Sequence, residues 1–349
     1  MNYHKSFDIK PLSVPLTRIY SVGDYLPSQK VQSNHLFEDL DSDRKYGIPT
    51  TWMSETMGIV ERRVAAENTK PSELAILAAR EAIESCTEIH PDQIDMVLYC
   101  GIERNYTEPA TAHAVQDGLG LKAHRVFDIS NACFGFNDGI DIANNFISSG
   151  SAKYVLLVTG EIMTRIYPSF IKQLKKGVSV HKARNLIGWF SLGDAGGAMI
   201  IGPSEPEDHR GFRIFRNNID SSHVDKCHYE LNTDGEYHGE MKMGKIVARG
   251  FQLHKEIIYT TMKSVGWEKF DKLLTHQTGR RNFEQIAKLG IVESEDILKT
   301  YDVLGNITSA TLPVSYKKMI NDVTLNKGCR IGGCFGGSGL TTGQFCYNY

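Results

Sequence analysis

A layered α/β fold, built twice over, is what this sequence predicts. Three observations carry the prediction. Short apolar runs alternate with helical patterns, which argues for helices layered on a buried, mostly parallel sheet. Several motifs recur at a nearly constant offset. The chain has 349 residues, 41% of them hydrophobic, enough to bury a sizeable core without disulfides or metals. On the usual prior of about 100–200 residues per domain, that length admits two domains.

The elements follow in order. Strand patterns fall at 96–100, 154–159, 198–201, 273–275 and 340–346, and helical periodicity at 72–86, 133–149, 251–265 and 281–289. Gln-Ile-Asp-Met-Val-Leu-Tyr-Cys at 93–100 resembles Lys-Phe-Asp-Lys-Leu-Leu-Thr-His at 269–276, an offset of 176 (269 − 93). Phe-Asp-Ile at 127–129 resembles Tyr-Asp-Val at 301–303, an offset of 174 (301 − 127). The run 152–158 stands at a similar distance from 328–334. Matches in one order at one spacing describe a duplicated domain, not a short-period solenoid. The polar, Pro-containing stretch 202–211 reads as the linker, which divides the chain into halves 1–205 and 206–349.

Composition narrows the function. Thirty-nine Lys and Arg stand against 41 Asp and Glu, a net charge of −2. No global basic field exists to grip nucleic acid or an anionic membrane, so any basic partner surface is local. Charged residues at 23% and aromatics at 9% exclude wholesale disorder. No stretch approaches the roughly 18 apolar residues of a membrane span. The N-terminal residues lack the apolar run and cleavage site of a signal peptide. The cysteines are Cys86, Cys100, Cys133, Cys227, Cys329, Cys334 and Cys346. An odd, scattered set without Cys-x-x-Cys reads as reduced thiols, so the expected compartment is cytoplasmic.

The duplication puts chemistry at matched places. An apolar strand near Asp128 runs through Ser130-Asn131-Ala132 into Cys133 at the start of a helix. The positive end of a helix favours thiolate and predicts a lowered thiol pKa, and its free N–H groups can hold an oxyanion. In the second half, Asn306 precedes a helix at a place that falls within a residue or two of the Cys133 match, and His276 follows a strand as Cys100 does. If the halves pack about a pseudo-two-fold axis, Cys133, His276 and Asn306 converge between them. The bland alternatives are a buried inert cysteine, a satisfied core histidine and an asparagine helix cap. The glycine-rich run 332–339 is expected to be a turn that offers a backbone N–H to a substrate oxygen. No Gly-Lys-Ser/Thr follows it, so a phosphate-cradling role is disfavoured. His223, Cys227, His228 and His238 cluster in a polar stretch, but their spacing matches no standard metal site, and no metal is expected.

These blocks resemble the thiolase superfamily, and within it the β-ketoacyl-acyl carrier protein synthase III group. Asp128-Ile-Ser-Asn-Ala-Cys-Phe-Gly-Phe136 resembles the nucleophile motif. Thr275-His-Gln-Thr-Gly-Arg-Arg281 resembles the Pro-His-Gln-Ala-Asn-x-Arg block, and Gly305-Asn-Ile-Thr-Ser-Ala310 the Gly-Asn-Thr-Ser-Ala block. Phe335-Gly-Gly-Ser-Gly-Leu-Thr-Thr-Gly343 resembles the closing glycine-rich block. The resemblance runs over about 18–349 and implies a thiolase-like fold, two αβαβα-layered halves with pseudo-two-fold symmetry.

It also implies a mechanism. The Cys133 thiolate takes an acyl group from a thioester, and the backbone N–H groups of Cys133 and Gly337 bind the oxyanion. A malonyl-type thioester loses CO₂, and His276 and Asn306 donate to the enolate oxygen. The resulting carbanion attacks the acyl-cysteine and releases a β-ketoacyl product. No cofactor is implied; coenzyme A or phosphopantetheine thioesters are the substrates, from acyl-CoA or an acyl carrier protein. A homodimer is implied as well. Trp52 resembles the tryptophan that stacks on the adenine of coenzyme A. Arg280, Arg281 and Lys288 form the expected carrier-facing basic patch.

Departures from the pattern bear on substrate choice. The tryptophan's arginine partner falls on Thr56, and the histidine beside Gly-Asn is Leu304. The aromatic that closes a partner's acyl pocket falls near Glu108, with Tyr106 able to fill the space. A carboxylate beside a plain alkyl chain is costly, which points to a polar or shorter primer and to specialised metabolism instead of housekeeping fatty acid initiation. The segment 167–185 carries Lys172, Lys175, Lys176, Lys182 and Arg184 and is expected to be a mobile basic loop over the tunnel. The alternative activity is transfer of the acyl group from Cys133 to a hydroxyl or amine without condensation. A catalytically silent partner subunit is disfavoured by the retained cysteine.

Overall fold

The computed structural model describes residues 16–349 apart from 206 and 208, so the stretch 1–15 considered above lies outside the described residues. The strands in chain order are β1 (Thr17–Tyr25), β2 (Gln29–Gln32), β3 (Glu61–Val64), β4 (Ile94–Tyr99), β5 (Arg125–Asp128), β6 (Tyr154–Ile162) and β7 (Asp194–Pro203). They continue with β8 (Gly211–Ile219), β9 (Cys227–Leu231), β10 (Tyr237–Met241), β11 (Lys272–Thr275), β12 (Arg330–Gly337) and β13 (Thr341–Asn348). One sheet has the order β1-β7-β6-β4-β5, and the other β8-β13-β12-β11. Each step in one has its counterpart in the other. An isolated parallel bridge between Leu273 and Ile297 stands where a fifth strand would pair.

Both sheets are mixed, which corrects the expectation of mostly parallel pairing. β4 pairs parallel with β5 and β6, but β7 runs antiparallel to both β6 and β1. In the second sheet only β11–β12 is parallel. The reason is connection length: β12 turns directly into β13, and a tight turn can join only antiparallel neighbours.

Alternation along the strands feeds two faces. Met96, Leu98, Val155 and Leu157 point inward with Phe136 and Ile140 of the helix Gly135–Ser148, Leu312 and Tyr316 of the helix Thr311–Asp322, and Leu274, Ile331 and Phe345 of the second sheet. Val97, Tyr99, Leu156 and Val158 point outward against Ala75, Ala78, Ala79 and Ala82 of the helix Pro71–Ser85. Ile258 and Met262 of the helix Met243–Ser264 cover the outer face of the second sheet with Ile286. The result is five layers, αβαβα, with the two central helices shared between halves. Side-chain size at the central contact is set by glycine: a Cβ on Gly135 would lie 2.6 Å from the Cys100 carbonyl oxygen.

Two expectations change. Of the run 332–339, Gly332–Gly337 belong to β12, and only Ser338 and Gly339 lie in the turn to β13. A Cβ on Gly333 would sit 2.2 Å from the Phe345 ring, and one on Gly332 2.6 Å from the Phe270 ring. Aromatic rings occupy the space where side chains would stand. The segment 167–185 is two helices, Tyr167–Lys176 and Val180–Leu186, not a loop. Tyr167, Phe170, Leu174 and Ala183 are buried in a separate apolar cluster with Trp189, Phe190 and Met241. Phe170 stacks on Trp189 at 5.6 Å, and Trp189 meets Tyr229 edge-on at 5.4 Å. Two of the lysines are held, Lys172 by Glu236 and Lys182 by the Gly239 carbonyl at 3.3 Å. Among the described residues, no helix is long and apolar enough to cross a membrane.

Candidate active site

In the first half the chain leaves β5 and makes a short turn, Ala132–Phe134, before the central helix Gly135–Ser148. Ala132 has φ +47, a left-handed conformation that is costly for a residue with a Cβ. In the second half the turn Thr308–Ala310 precedes the central helix Thr311–Asp322, and Thr308 has φ +49. The offset from Ala132 to Thr308 is 176 (308 − 132), the same as from β6 to β12 (330 − 154). The two turns pack against each other.

This register corrects one expectation. The counterpart of Cys133 is Ser309 (133 + 176), and Asn306 lies three residues before it (309 − 306). Asn306 stands ahead of the left-handed turn, on an isolated bridge to Leu192. Its backbone N–H donates to the Ser191 carbonyl at 2.8 Å, and its Oδ1 accepts from the Thr308 N–H at 3.0 Å. The oxygen end is thereby occupied, which leaves the amide nitrogen as the donor end.

Cys133, His276, Asn306 and Gly337 line one cavity of about 370 Å³. Met163, Trp189, Leu192, Met241 and Met243 supply its apolar wall, and these belong to or pack on the apolar cluster of Tyr167, Phe170 and Phe190. His276 follows β11; its N–H donates to the Cys334 carbonyl at 3.0 Å, and its own carbonyl accepts from Asn282 Nδ2 at 2.8 Å. The side-chain Nδ1 is buried without a partner among the described residues. Burial pulls this imidazole down to about 4, so it is neutral near pH 7. Gly337 ends β12 against the turn Ala132–Phe134: a Cβ there would lie 3.0 Å from the Phe134 nitrogen and 3.2 Å from the Asn131 oxygen. A side chain here would crowd the backbone of the cysteine turn.

The cysteine differs from expectation. Burial pushes the Cys133 thiol up, with smaller contributions from Cys227 and Glu161. The expected lowering by a helix N-terminus is outweighed because the cavity around the sulfur is apolar.

Behind the cavity lies a buried carboxylate that the sequence reading passed over. Glu161 accepts from the N–H groups of Ile102 at 3.0 Å and Glu103 at 3.2 Å, and from Ser309 Oγ. Ser309 Oγ also meets Thr159 Oγ1 at 2.6 Å. Burial pushes Glu161 up to about 7, against these hydrogen bonds, which lower it. Glu103 pairs with Arg165 at 3.0 Å and accepts from Tyr229 Oη at 3.0 Å, and Tyr229 lines the cavity.

The remaining candidates lie off the cavity wall. Arg280, Arg281 and Lys288 are exposed. Arg280 donates to the Glu55 carbonyl at 2.7 Å, which ties it to the turn Trp52–Thr56. Trp52 itself is half-buried, its ring 6.2 Å from that of Phe37. Tyr106 and Glu108 are exposed and do not line the cavity of their own chain; Tyr106 Oη accepts from Lys70 Nζ at 3.2 Å. Cys227, His228 and His254 do line it. The cavity face of the helix Met243–Ser264 was legible as a stripe, but the periodicity read from sequence began eight residues late (251 − 243) and missed it.

Comparisons with known proteins agree with this layout. The family model for 3-oxoacyl-[acyl-carrier-protein (ACP)] synthase III matches residues 127–222, and the model for its C-terminal part matches 260–349. The chain is 27% identical over 322 residues to a β-ketoacyl-[acyl-carrier-protein] synthase III of Caulobacter vibrioides, covering 89% of this chain and 92% of that one. It is 27% identical over 308 residues to an acyl-CoA:acyl-CoA alkyltransferase of Xanthomonas campestris pv. campestris, covering 85% and 87%. Among solved structures, cerulenin-bound OleA from Xanthomonas campestris superposes with a TM-score of 0.89 at 25% identity, covering 96% of this chain and 98% of that one.

Proposed function

We propose a residue-level mechanism for this chain, which belongs to the 3-oxoacyl-[acyl-carrier-protein] synthase III family of the thiolase superfamily and is a condensing acyltransferase of that type. The observation that carries the proposal is that Cys133, His276 and Asn306, from both halves of the duplication, line one cavity. Cys133 Sγ attacks the carbonyl of an acyl thioester, forms the acyl-cysteine bond and expels the carrier thiol. The thiol's proton ends on the departing sulfur, so the exchange needs no net base. This suits a thiol that burial keeps protonated. The backbone N–H groups of Cys133 and Gly337 hold the oxyanion.

Condensation follows on the acyl-enzyme. A malonyl-type thioester loses CO₂, and the electron pair of the broken C–C bond becomes an enolate. Neutral His276 and the Asn306 amide nitrogen donate to the enolate oxygen. Neutral donors stabilise the charge without protonating the carbon that must attack. That carbon attacks the acyl-cysteine, a β-ketoacyl thioester leaves, and the cysteine sulfur regains a proton.

The reading extends to the surroundings. Trp52, Arg280, Arg281 and Lys288 receive the coenzyme A or carrier-protein arm, and Tyr106 and Glu108 face the acyl pocket of a partner copy in a homodimer. The halves divide at 205/206, the compartment is cytoplasmic, and the pathway is specialised metabolism. Thr56 in place of an arginine and the carboxylate Glu108 support that last assignment, and seven unpaired cysteines support a reducing compartment. A second reading joins two acyl-CoA chains without loss of CO₂. The similarity to the acyl-CoA:acyl-CoA alkyltransferase favours it.

Intact-protein mass spectrometry after incubation with acyl-coenzyme A and acyl-carrier thioesters tests the first step. The wild-type protein is expected to gain one acyl mass, and Cys133→Ala none. An adduct that survives Cys133→Ala contradicts the assignment.

A further inference from the structure

The helix Met243–Ser264 lines the cavity through Met243, Ile246, Val247, Gly250 and His254. Their spacing makes a single helical stripe. Two of the five do not suit an apolar wall.

His254 is 6% exposed. Gln344 Nε2 donates to the His254 carbonyl oxygen at 3.0 Å and stands 3.5 Å from His254 Nδ1. An amide nitrogen only donates, so Nδ1 accepts and the ring proton sits on Nε2. Nε2 has no hydrogen-bond partner among the described residues. Burial first, and then His276, pull this imidazole down to about 4, so it faces the cavity as a neutral donor.

Gly250 is unsuited in a different way. Glycine weakens a helix interior and is kept where a neighbour leaves no room for a side chain. Here a Cβ would meet nothing nearer than Thr342 Cγ2 at 4.0 Å. Packing does not require the glycine. The space it leaves lies on the cavity stripe, one turn before His254.

We propose that His254 and Gly250 form a polar subsite that takes a carbonyl or amide oxygen of an extended, otherwise apolar thioester substrate. His254 Nε2–H is the donor, and the absent side chain at Gly250 is the room through which the chain passes. The inference rests on the reading of this cavity as a thioester site. The oxygen has two possible sources, the acyl chain or the amides of the carrier arm.

The test measures the rate of Cys133 acylation by intact mass spectrometry with four thioesters: a plain acyl and a 3-oxoacyl group, each on coenzyme A and on ethanethiol, which has no amide. His254→Leu should slow the oxygen-bearing substrates about 5- to 10-fold, the loss of one hydrogen bond to a neutral donor. Loss confined to both 3-oxoacyl thioesters assigns the oxygen to the acyl chain; loss confined to both coenzyme A thioesters assigns it to the carrier arm. His254→Gln, which keeps a donor, should recover most of the rate. Gly250→Ala should raise the melting temperature and still slow the same substrates. Equal slowing of all four thioesters by His254→Leu, or of none, overturns the subsite while leaving the cysteine chemistry standing. A wild-type protein that forms no adduct with any thioester overturns the underlying reading and the subsite with it.

Discussion

Two steps share one sulfur, and single residues separate them. In the proposed mechanism Cys133 is assigned to both acylation and condensation, and His276 to the second alone. His276→Ala is therefore expected to keep the acyl adduct on Cys133 and to lose condensation by about 10²–10³-fold, the usual cost of removing one donor to a developing oxyanion. Single-turnover acylation followed by product analysis separates the two. Equal loss of both steps refutes the division of roles. The buried titrating groups make a second prediction. Glu161 is held near 7, above its unfolded value. The folded protein keeps a proton that the unfolded chain gives up from about pH 4.5, so this group's contribution to stability falls as pH rises through 7. His254 and His276, both pulled down to about 4, act oppositely: their contribution is present above about 6.5 and falls as pH drops toward 4. Between pH 5 and 7 the two histidines therefore outweigh Glu161, and chemical denaturation should show stability rising more steeply with pH for Glu161→Gln than for wild type. Parallel curves contradict the assignment.

At the scale of elements, β12 makes the sharpest test. Gly333 lies directly opposite Phe345 in the β12–β13 register, and the Phe345 ring covers the glycine. Gly333→Ala should cost about 1–3 kcal/mol, the usual penalty of overpacking, read as a lowered melting temperature. An unchanged melting temperature contradicts this packing. The same element shows why part of the fold was hidden in the sequence. Four glycines in eight residues look like a turn, because the rings of Phe270 and Phe345 that justify Gly332 and Gly333 come from elsewhere in the chain. The helices Tyr167–Lys176 and Val180–Leu186 were hidden differently. Tyr167, Phe170 and Leu174 form an i, i+3, i+7 stripe, legible in principle, but the lysines between them drew the reading toward a loop. Elements with strong local patterns, such as β4, β6 and the helix Pro71–Ser85, were legible outright, since burial on one or both faces writes itself into the residue sequence.

Across the whole molecule, the duplication was the most legible feature and also the most informative. One offset relates β6 to β12, the two central helices and the two left-handed turns, and the candidate residues Cys133, His276 and Asn306 line the cavity where these turns meet. The Cys133, His276 and Asn306 candidates followed from that symmetry and from short motifs. Asn306 was placed three residues out of register, because matching sequence runs drift by a residue or two while the left-handed φ at Ala132 and Thr308 fixes the true alignment. His254 and Gly250 carry no motif, and only the tertiary packing of their helix against the cavity brings them into view.

The account's central claim is that this junction stabilises an enolate made by loss of CO₂. The most direct measurement is release of labelled CO₂ from a carboxyl-labelled malonyl thioester by enzyme first acylated on Cys133. Release in step with β-ketoacyl product, at least about 10²-fold slower in Asn306→Ala, is what the account predicts. Turnover of the acyl-enzyme with no labelled CO₂ would contradict it and favour direct acyl transfer or the joining of two acyl chains.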